Sequence, residues 1–436
     1  MIPSGLMLAL LLAATPLFAL GAFQPMLPAL GLGWMLGVVA LALLAGLISR
    51  ARDAVDLRRE VPAVLSLDAA NRVEVVVHNR IGRSLRLILK DDPPEGFAAP
   101  DRTHHLRLAP WQREVVSYLV TPHRRGDHHF GGLHLRGLSR LRLAWWQRDI
   151  EATEEVRVYP NLQQLREFDA LARRGRIEEM GLRSGRFRGE GTEFESLREY
   201  IADDSYRQID WKATARRGSP ITRQYQLERN QTLLLLIDAG RMMSAQAGEM
   251  TRLDYAINAA LMLAHVAERM GDSVGLLAFS DRIKAFVAPV RGAAGAERML
   301  EELYGLEAEL VESDYRAAIA FLRARARKRA MVCAFTDLVD PDVSAQALSY
   351  LASLRPQHLP MVATLRDSEV TAMAEAEPAT AAEAYEKAVA QRTMGERELA
   401  LARLRSRGVQ VADARPEELS SAVVGRYLAI KRRGLL

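Results

Sequence analysis

The chain opens with two long stretches of apolar residues that contain no charged side chain. The first spans residues 5–23 and the second runs from about residue 29 to residue 49, with Gln24, Pro25 and Pro28 between them. Each stretch is close to the ~20 residues that a helix needs to cross a bilayer. The short break fits a tight turn, so the pattern predicts a transmembrane helical hairpin.

Positive charge is distributed unevenly around this hairpin. The connecting turn has none, whereas four arginines follow the second stretch: Arg50, Arg52, Arg58 and Arg59. The positive-inside rule then places the turn outside, the rest of the chain in the cytoplasm, and the protein in the inner (cytoplasmic) membrane with two crossings. A cleavable signal peptide is the alternative for the first stretch, although no basic residue precedes Arg50 as such a peptide normally requires.

Residues 61–158 alternate between apolar and polar positions, which is typical of strands with one buried face. Candidate strands cover residues 73–78, 85–90 and 115–120. Short alternating strands at this spacing predict an antiparallel, β-sandwich-like domain. Its histidines form adjacent pairs at 104–105 and 128–129, and neighbours on a strand point to opposite faces, so a shared metal ion is not expected.

Residues 162–191 form a polar segment that is rich in arginine and interrupted by glycine, so a continuous helix is not expected there. Either this connector is a solvated linker, or it meets an acidic partner or the anionic membrane surface. Nucleic-acid binding through the arginines between 173 and 188 is a weaker hypothesis that predicts a steep dependence on salt. The glycines at 185–191 lack the Gly-Lys-Ser or Gly-Lys-Thr sequence of a phosphate-binding loop.

The apolar run from Leu233 to Ile237 is followed at once by Asp238 and then by Ala239 and Gly240. Such a run indicates a strand with both faces buried, as in a parallel sheet covered by helices. Helical and strand patterns alternate after it, which predicts a doubly wound α/β domain. Asp238 then lies at the carboxyl end of a central strand, where such sheets bind ligands, unless it only caps the turn.

The elements predicted after Asp238 alternate along the remaining chain. They are a helix to about residue 270, strands at 273–279, 330–335 and 360–365, an edge strand at 283–287, and helices near 296–306, 315–327 and 343–354. Residues 372–405 are rich in Ala and Glu and predict helix with a break near Pro378. A short strand at 408–412 and a helix at 416–431 complete the pattern.

Composition limits the classes of protein that this chain can represent. Its 436 residues exceed the ~250 of a single core, so several domains are expected. The net charge of +5 does not require a nucleic-acid partner, and a single cysteine, Cys333, excludes a disulfide framework or a cysteine-based zinc site. The predicted divisions are the hairpin with its basic segment (1–59), the β-rich domain (60–160), the connector and the segment after it (161–229), the α/β domain (230–370) and a C-terminal helical segment with the last strand (371–436).

Charged and apolar residues alternate closely in residues 189–218, which we call the signature segment. Its conspicuous positions are Glu193, Phe194, Arg198, Tyr200, Asp204, Arg207, Asp210, Trp211 and Arg216. Mixed charges with apolar residues between them predict an ion-pair network that locks the segment onto the following domain. The alternative is a catalytic cluster of three acids, Glu193, Asp204 and Asp210, with Arg207.

The signature segment resembles that of the bacterial family called domain of unknown function 58 (DUF58). The family pattern is approximately Gly-x-Glu-Phe-x-x-Leu-Arg-x-Tyr, then Gly-Asp-Asp-x-Arg-x-Ile-Asp-Trp, then Ala-Arg, and the chain departs from it at Asp203, where the family usually has glycine. The apolar segments, the β-rich region and the stretch from Tyr427 to Lys431 are also similar. The resemblance implies a fold like von Willebrand factor A domains and a partner AAA+ ATPase of the MoxR type.

Von Willebrand factor A domains often hold a divalent cation through an Asp-x-Ser-x-Ser sequence, with a Thr and an Asp from later loops. Carried onto this chain, the pattern falls on Asp238, Ser313 and Asp337. Gly240 and Met242 replace the two serines, so two oxygen ligands are missing. Ligand number sets affinity, and this degenerate metal-ion-dependent adhesion site is therefore expected to hold Mg²⁺ weakly at most.

We therefore expect no cofactor and a metal-free pocket in which Arg241 pairs with Asp238 or Asp337. The function that follows is a membrane-anchored adaptor, not an enzyme, whose α/β domain cooperates with a MoxR-type AAA+ ATPase in remodelling envelope or other protein complexes. No nucleophile, base and orienting residue form a recognisable set. The alternative is a metal-dependent hydrolase or phosphoryl-transfer enzyme that uses the two aspartates and the three acids of the signature segment.

Overall fold

A computed structural model of the chain describes residues 2–47, 55–173, 193–201, 206–226, 231–337 and 341–435. The chain divides into two compact units, residues 1–159 and residues 160–436. The first unit contains the apolar helices and three sheets. The second contains a six-stranded sheet with its helices and two short antiparallel ribbons.

The apolar segment of the first unit forms helices α1 (Gly5–Leu12), α2 (Thr15–Ala19) and α3 (Leu27–Leu47), with a 3-10 turn at Leu20–Ala22. Pro16 lies at the start of α2, where it has no N–H to donate, so the first predicted span is divided into shorter helices. Residues 5–22 and 27–45 are nonetheless long and apolar enough to cross a membrane. The Trp34 indole donates to the Leu10 carbonyl oxygen at 2.9 Å and ties the two spans together.

The strands described in the first unit are β1 (Ile2–Pro3), β2 (Val55–Glu60), β3 (Val64–Ser66), β4 (Asn71–Asn79), β5 (Leu85–Asp91), β6 (Phe97–Ala98), β7 (Thr103–Leu108), β8 (Arg113–Pro122), β9 (Gly126–Phe130), β10 (Leu133–Leu138), β11 (Ala144–Ile150) and β12 (Glu154–Tyr159). They form sheets in the orders β1-β11-β10-β5-β7, β2-β4-β8-β6 and β3-β12-β9. Neighbours are antiparallel except β3 and β12. The candidate strands lie within β4, β5 and β8, as the alternating pattern predicts.

A buried cluster joins the two larger sheets of this unit. Arg59 on β2 forms an ion pair with Asp91 on β5, and Tyr118 on β8 donates to the same carboxylate at 2.7 Å. Burial, together with the negative charge of Asp91, raises the pKa of Tyr118. Arg59 therefore stabilises the β-rich core and does not add to the charge beside the apolar helices, which corrects its grouping with Arg50 and Arg52. Those two arginines lie outside the described residues.

The second unit contains α4 (Leu162–Arg173), β13 (Glu193–Glu199), α5 (Trp211–Arg217), β14 (Ile221–Gln226), β15 (Thr232–Asp238), β16 (Gln246–Ala247), β17 (Met250–Thr251), α6 (Arg252–Arg269), β18 (Ser273–Phe279), β19 (Ile283–Val290), α7 (Ala293–Tyr304), α8 (Tyr315–Arg325), β20 (Met331–Phe335), α9 (Pro341–Ala352), β21 (Leu359–Leu365), α10 (Ser368–Glu375), α11 (Ala381–Ser406), β22 (Gln410–Ala414) and α12 (Leu419–Arg432). The large sheet has the order β19-β18-β15-β20-β21-β22. It is parallel except at the edge strand β19.

Strand order in this sheet reverses at β15, because the chain goes next to β18 on one side and later to β20 on the other. Leu234 and Leu236 of β15 join a buried cluster with side chains of α8, α9 and α11. Leu233 and Leu235 are also buried and point to the opposite face, on which α6 packs. Both faces are therefore covered, which is the layered arrangement that the alternating pattern predicts.

The C-terminal part of the chain belongs to the same sheet. β22 pairs in parallel with β21, so the predicted boundary at residue 370 divides one sheet and needs correction. The intervening α11 is long and mostly exposed, and its Ala- and Glu-rich sequence resembles a separate helical segment. The break predicted near Pro378 is present between α10 and α11.

The described part of the connector is a regular helix, α4, and the prediction that no continuous helix covers residues 162–191 stays a prediction. Asp169 of α4 contacts the His265 imidazole of α6 at 2.7 Å, and Phe168 packs edge-to-face on the same ring. The described part of α4 reaches Arg173. The arginines and glycines of residues 174–192 lie outside the described residues.

Candidate functional site

The switch point of the six-stranded sheet lies at the carboxyl ends of β15 and β20. Asp238 is the last residue of β15, and Thr336 and Asp337 follow β20 directly. Parallel strands end at the same edge, so these side chains meet there. Ser313, which precedes α8, is brought to the same place. The structure thus brings together the three residues that the sequence proposes for a cation.

The carboxylate of Asp238 is buried and accepts four hydrogen bonds from the chain itself. One oxygen accepts from the Gly240 backbone N–H at 2.9 Å and from the Ser313 hydroxyl. The other accepts from the Tyr315 hydroxyl at 2.5 Å and from the Thr336 hydroxyl at 2.8 Å. Burial, reinforced by the negative charge of Asp238, raises the pKa of Tyr315 well above its usual value. Asp238 is therefore already fully coordinated by protein donors.

Asp337 is paired with two arginines. Arg252, the first residue of α6, forms an ion pair with one carboxylate oxygen, and Arg397 of α11 donates to the other at 3.1 Å. Arg252 also donates to Asp367 at 2.7 Å, and Arg397 donates to Asp413 at 2.9 Å. Burial lowers the pKa of Arg252, and the charge of Asp367 opposes that shift. Three acids and two arginines thus form one closed ion-pair network, which we call the arginine clasp.

The arginine predicted to pair with these aspartates is the wrong one. Arg241 lies closest to Glu312, at 3.5 Å, and its side chain is half exposed. Its backbone N–H donates to the Val311 carbonyl oxygen at 2.9 Å, which fixes this turn beside the loop before α8. The partners of Asp337 come instead from Arg252 and Arg397, which are 85 and 60 residues away in sequence.

Sequence reasoning also missed Tyr315 and Thr336. Thr336 immediately precedes Asp337, and Tyr315 is two residues after Ser313, so proximity along the chain was an available signal. Arg252 begins the helix that follows β15, which is a second signal. Nothing local marks Arg397, because α11 reaches the switch point only through the packing of the whole sheet.

These residues do not fit a divalent cation. Mg²⁺ requires free oxygen ligands, whereas the oxygens of Asp238 are used by internal donors and those of Asp337 face guanidinium groups. A Cβ at Gly240 would lie 2.1 Å from the Ser313 hydroxyl oxygen and 2.9 Å from the Val311 carbonyl oxygen, so the serine of the usual pattern has no room. Among the described residues, no group of three or more His, Cys, Asp or Glu side chains is arranged to hold a metal ion.

The signature segment forms a ribbon with a short helix beside it. β13 pairs antiparallel with β14, and α5 lies between them in sequence. Asp210 caps α5 by accepting from the backbone N–H groups of Lys212 and Ala213, each at 3.0 Å, and from Arg223 at 2.9 Å. These backbone hydrogen bonds and the Arg223 guanidinium lower the pKa of Asp210. Asp210 thus holds the segment together, whereas the hypothesis of an ion-pair network that locks the segment onto the following domain stays a prediction.

Two aromatic residues of this segment, Tyr206 and Trp211, are exposed. Trp211 is 58% exposed and Tyr206 is 68% exposed, and their rings meet edge-to-face with centroids 5.5 Å apart. Leu197 and Ile201 are also exposed. Trp211 is therefore held at the start of a capped helix although more than half of its side chain is exposed.

The remaining signature residues are distributed along the ribbon. Glu193 and Phe194 are opposite Gln226 and Tyr225 in the strand register, although their own side chains lie outside the described part of the chain, as does that of Arg207. Arg198 donates to the Glu199 carbonyl oxygen at 3.2 Å, and the Tyr200 N–H donates to Pro220 at 2.9 Å. Arg216 is exposed in the last turn of α5. Asp204 is outside the described residues, so the catalytic-cluster hypothesis remains a prediction.

A second buried cluster explains the similarity at the C-terminal end of the chain. Tyr427 and Lys431, one turn apart on α12, both donate to Asp272, each at 2.5 Å. Burial, with the negative charge of Asp272, raises the pKa of Tyr427. Because Asp272 lies between α6 and β18, this cluster fastens α12 to the body of the sheet. These residues therefore have a structural role.

The fold and the site define a multidomain chain with a pair of apolar helices, a β-rich unit, and an α/β unit whose switch point is closed by its own side chains. Residues 196–375 match the family model described as "Protein of unknown function DUF58". The family resemblance is therefore confirmed for this part of the chain.

A relative among curated proteins is the "Uncharacterized protein YeaD" of Bacillus subtilis (strain 168). It is 27% identical over 159 residues, and the match covers 35% of this chain and 39% of that protein. The chain thus spans less than half the length of the relative that it matches.

The β-rich part has weak structural neighbours. One is the CARDB domain of PF1109 from Pyrococcus furiosus, at 15% identity and a TM-score of 0.18, covering 24% of this chain and 94% of that domain. Another is a protein of unknown function from Porphyromonas gingivalis W83, at 15% identity and a TM-score of 0.20, covering 25% of this chain and 50% of that chain. Scores this low carry no argument about fold or function.

Proposed function

We propose that the chain is a membrane-anchored interaction protein whose α/β unit, similar to a von Willebrand factor A domain, works with a MoxR-type AAA+ ATPase. The observation that carries the proposal is the exposed ring pair of Tyr206 and Trp211 in the signature segment. The family resemblance suggests the partner. Remodelling or maturation of envelope or other protein complexes is the process in which such a pair would act.

Membrane anchoring is supported by the two apolar spans, whose side chains are almost entirely unburied by the protein. Exposed apolar surface on this scale is unfavourable in water and favourable in a bilayer. The first span begins against β11, and α3 also contacts β11, so both ends of the hairpin lie on the same side of the β-rich unit. Together with the arginines that follow α3, this supports two crossings of the inner membrane and a cytoplasmic location for both units.

The von Willebrand-like assignment is supported by the order of strands in the large sheet, the antiparallel edge strand β19, and the position of Asp238 at the switch point. In domains of that type the switch point is the contact surface. Here the arginine clasp occupies that surface with internal ion pairs. We therefore infer that the signature segment, and not the switch point, is the contact surface.

The signature segment has the composition of a binding hot spot. Tryptophan, tyrosine and arginine are the residues that dominate binding energy at protein interfaces. Trp211 begins α5, which also carries Lys212, Arg216 and Arg217, and the Tyr206 ring contacts that of Trp211. The segment therefore combines rigid aromatic rings with positive charge. Such a patch fits an acidic partner surface with an apolar pocket.

The test uses the full chain in detergent and a purified MoxR-type ATPase from the same genome, with binding measured with and without ATP. Trp211→Ala should weaken binding at least about tenfold, which corresponds to the loss of a single hot-spot residue. Trp211→Phe should retain part of the affinity. Tyr385→Ala, which removes an exposed ring of α11, is the matched control and should bind normally. Equal binding by Trp211→Ala and the unmodified chain, or no binding under either condition, would contradict the proposal.

A further inference from the structure

A basic cavity of about 380 Å³ lies at one end of the β-rich unit. It is formed where three parts of the chain meet: the start of β5, the end of β7 and the turn between β10 and β11. Among the described residues that line it, none is acidic and five are arginines: Arg83, Arg86, Arg107, Arg140 and Arg142. A volume of this size is in the range of small-ligand sites.

The positions of two of these arginines are electrostatically unfavourable when no anion is bound. Arg86 on β5 and Arg107 on β7 are directly opposite each other in the antiparallel register. Like charges in directly opposite positions destabilise a sheet. The same arrangement stabilises a bound anion, because two guanidinium groups can each donate paired hydrogen bonds to phosphate oxygens.

The β10–β11 turn, which lines the cavity, also contacts the residue that precedes the first apolar helix. The Ser4 N–H donates to the Leu143 carbonyl oxygen at 3.0 Å, and the Ser4 hydroxyl donates to the Arg142 carbonyl oxygen at 2.5 Å. Ser4 also caps α1, which begins at Gly5. The cavity is therefore within a few residues of the position where the chain becomes wholly apolar.

Two exposed apolar side chains stand at the same end of this unit. Leu141, between two arginines at the tip of the turn, is 46% exposed. Trp111, in the turn between β7 and β8, is 65% exposed and lies against Gly82, which precedes Arg83. Tryptophan together with arginine is typical of the boundary between a bilayer and water. Apolar tips around an arginine cavity indicate a ligand that belongs to a membrane surface.

We propose that this cavity binds the phosphate of an anionic membrane phospholipid. The inference rests on the proposed membrane anchoring, which would hold the cavity at headgroup level. The phosphate neutralises the opposed Arg86 and Arg107, and Arg140 and Arg142 approach it from the turn. The acyl chains extend along the apolar helices, beside Leu141. The lipid thus fixes the height of the β-rich unit above the bilayer.

The experiment uses the full chain in neutral detergent, with melting temperature followed at increasing concentrations of short-chain phosphatidylglycerol. The expected result is a saturable rise in melting temperature, since a ligand that binds the folded state stabilises it. Arg86→Gln/Arg107→Gln should weaken this binding about tenfold or more, because charged hydrogen bonds are lost. Arg102→Gln/Arg124→Gln removes the same charge at the other end of β7 and β8, and should bind as the unmodified chain does.

Two further arms identify the source of the phosphate. Short-chain phosphatidylcholine and free glycerol phosphate should each bind at least about tenfold more weakly than phosphatidylglycerol, because net charge and the apolar chains both contribute. Equal binding of free glycerol phosphate would replace the lipid with a soluble phosphate ligand and overturn the proposal. Equal loss in both arginine pairs would indicate only nonspecific charge and would overturn it too.

Effects of the substitutions on folding and on membrane anchoring are measured separately from lipid binding. Without lipid, Arg86→Gln/Arg107→Gln should melt no lower than the unmodified chain, since it removes a repulsive pair. If it melts lower, Arg140→Gln, which alters only the turn, must show the same loss of lipid binding, or the proposal fails. Both variants should remain in the membrane fraction after alkaline extraction. Release of the unmodified chain by that extraction would contradict the anchoring alone, whereas the detergent measurement tests the cavity.

Discussion

Two arginine clusters in this chain have opposite surroundings. In the arginine clasp of the α/β unit, Arg252 and Arg397 face three aspartates in a network whose centre, Asp337, is buried. In the basic cavity of the β-rich unit, Arg86 and Arg107 face each other. The first cluster satisfies its charges with acids of the chain, whereas the described lining of the second contains no acid. The number of arginines alone therefore does not indicate a binding site. The better indicator is whether acidic side chains surround each guanidinium group.

The largest effect is expected where the clasp is broken. Arg397→Ala leaves Asp337 with Arg252 alone and Asp413 with only the exposed Arg366, and removal of one member of a buried pair costs about 3–5 kcal/mol of unfolding free energy. Denaturant unfolding of the full chain in detergent measures it. Arg366→Ala is the control, because Arg366 contacts the same Asp413 from an exposed position and should cost less than about 1 kcal/mol. Equal losses in the two variants would remove the distinction between the clusters.

A smaller effect is expected from the hydrogen bonds around Asp238, and it depends on pH. Burial raises the pKa of Tyr315, so the folded chain keeps a proton that the unfolded chain releases near the ordinary tyrosine pKa of about 10. The resulting stability is complete below that pH and is lost as the pH rises above it. Tyr315→Phe should therefore reduce the alkaline fall in unfolding free energy by about 1.4 kcal/mol per pH unit.

The control for this measurement is Tyr385→Phe, which alters an exposed ring of α11. Its unfolding free energy should fall with pH as steeply as that of the unmodified chain. An unchanged slope in Tyr315→Phe as well would mean that Tyr315 ionises in the folded state, and the closed description of the switch point would be wrong.

The smallest expected effect is that of magnesium. Asp238 and Asp337 have no free oxygens to offer, so millimolar Mg²⁺ should leave the melting temperature within experimental error of that in a chelator. Thermal melts of the full chain with Mg²⁺, with Ca²⁺ and with a chelator provide the comparison. A rise of several degrees with either ion would show that the clasp opens to admit a cation.

The elements that local pattern controls were predictable from the sequence. The uninterrupted run before Asp238 predicts a central strand, and the alternation in residues 61–158 predicts the antiparallel sheets. Both predictions work because burial of one or both faces of a strand determines which positions are apolar. Ser313 and Asp337 were placed at the switch point through the family resemblance. These predictions needed no knowledge of which distant side chains would meet.

The parts that depend on distant contacts were not predictable in this way. Arg397 meets Asp337 only because β22 joins the sheet and draws α11 across it. The cavity arginines come from three separated parts of the chain, whereas the sequence drew attention to the contiguous run between residues 173 and 188. The exposure of Trp211 likewise appears only in three dimensions, because the alternating charges around it do not show which side chains face outward.

The position of Arg397 on α11 has a consequence for biosynthesis. During translation, the strands up to β21 leave the ribosome before either α11 or β22 has been made. Until those elements arrive, Asp337 lacks one of its two guanidinium partners and the sheet has an unpaired edge at β21. The nascent α/β unit thus stays in an unfinished state, exposed to chaperones and proteases for as long as its C-terminal segment is delayed.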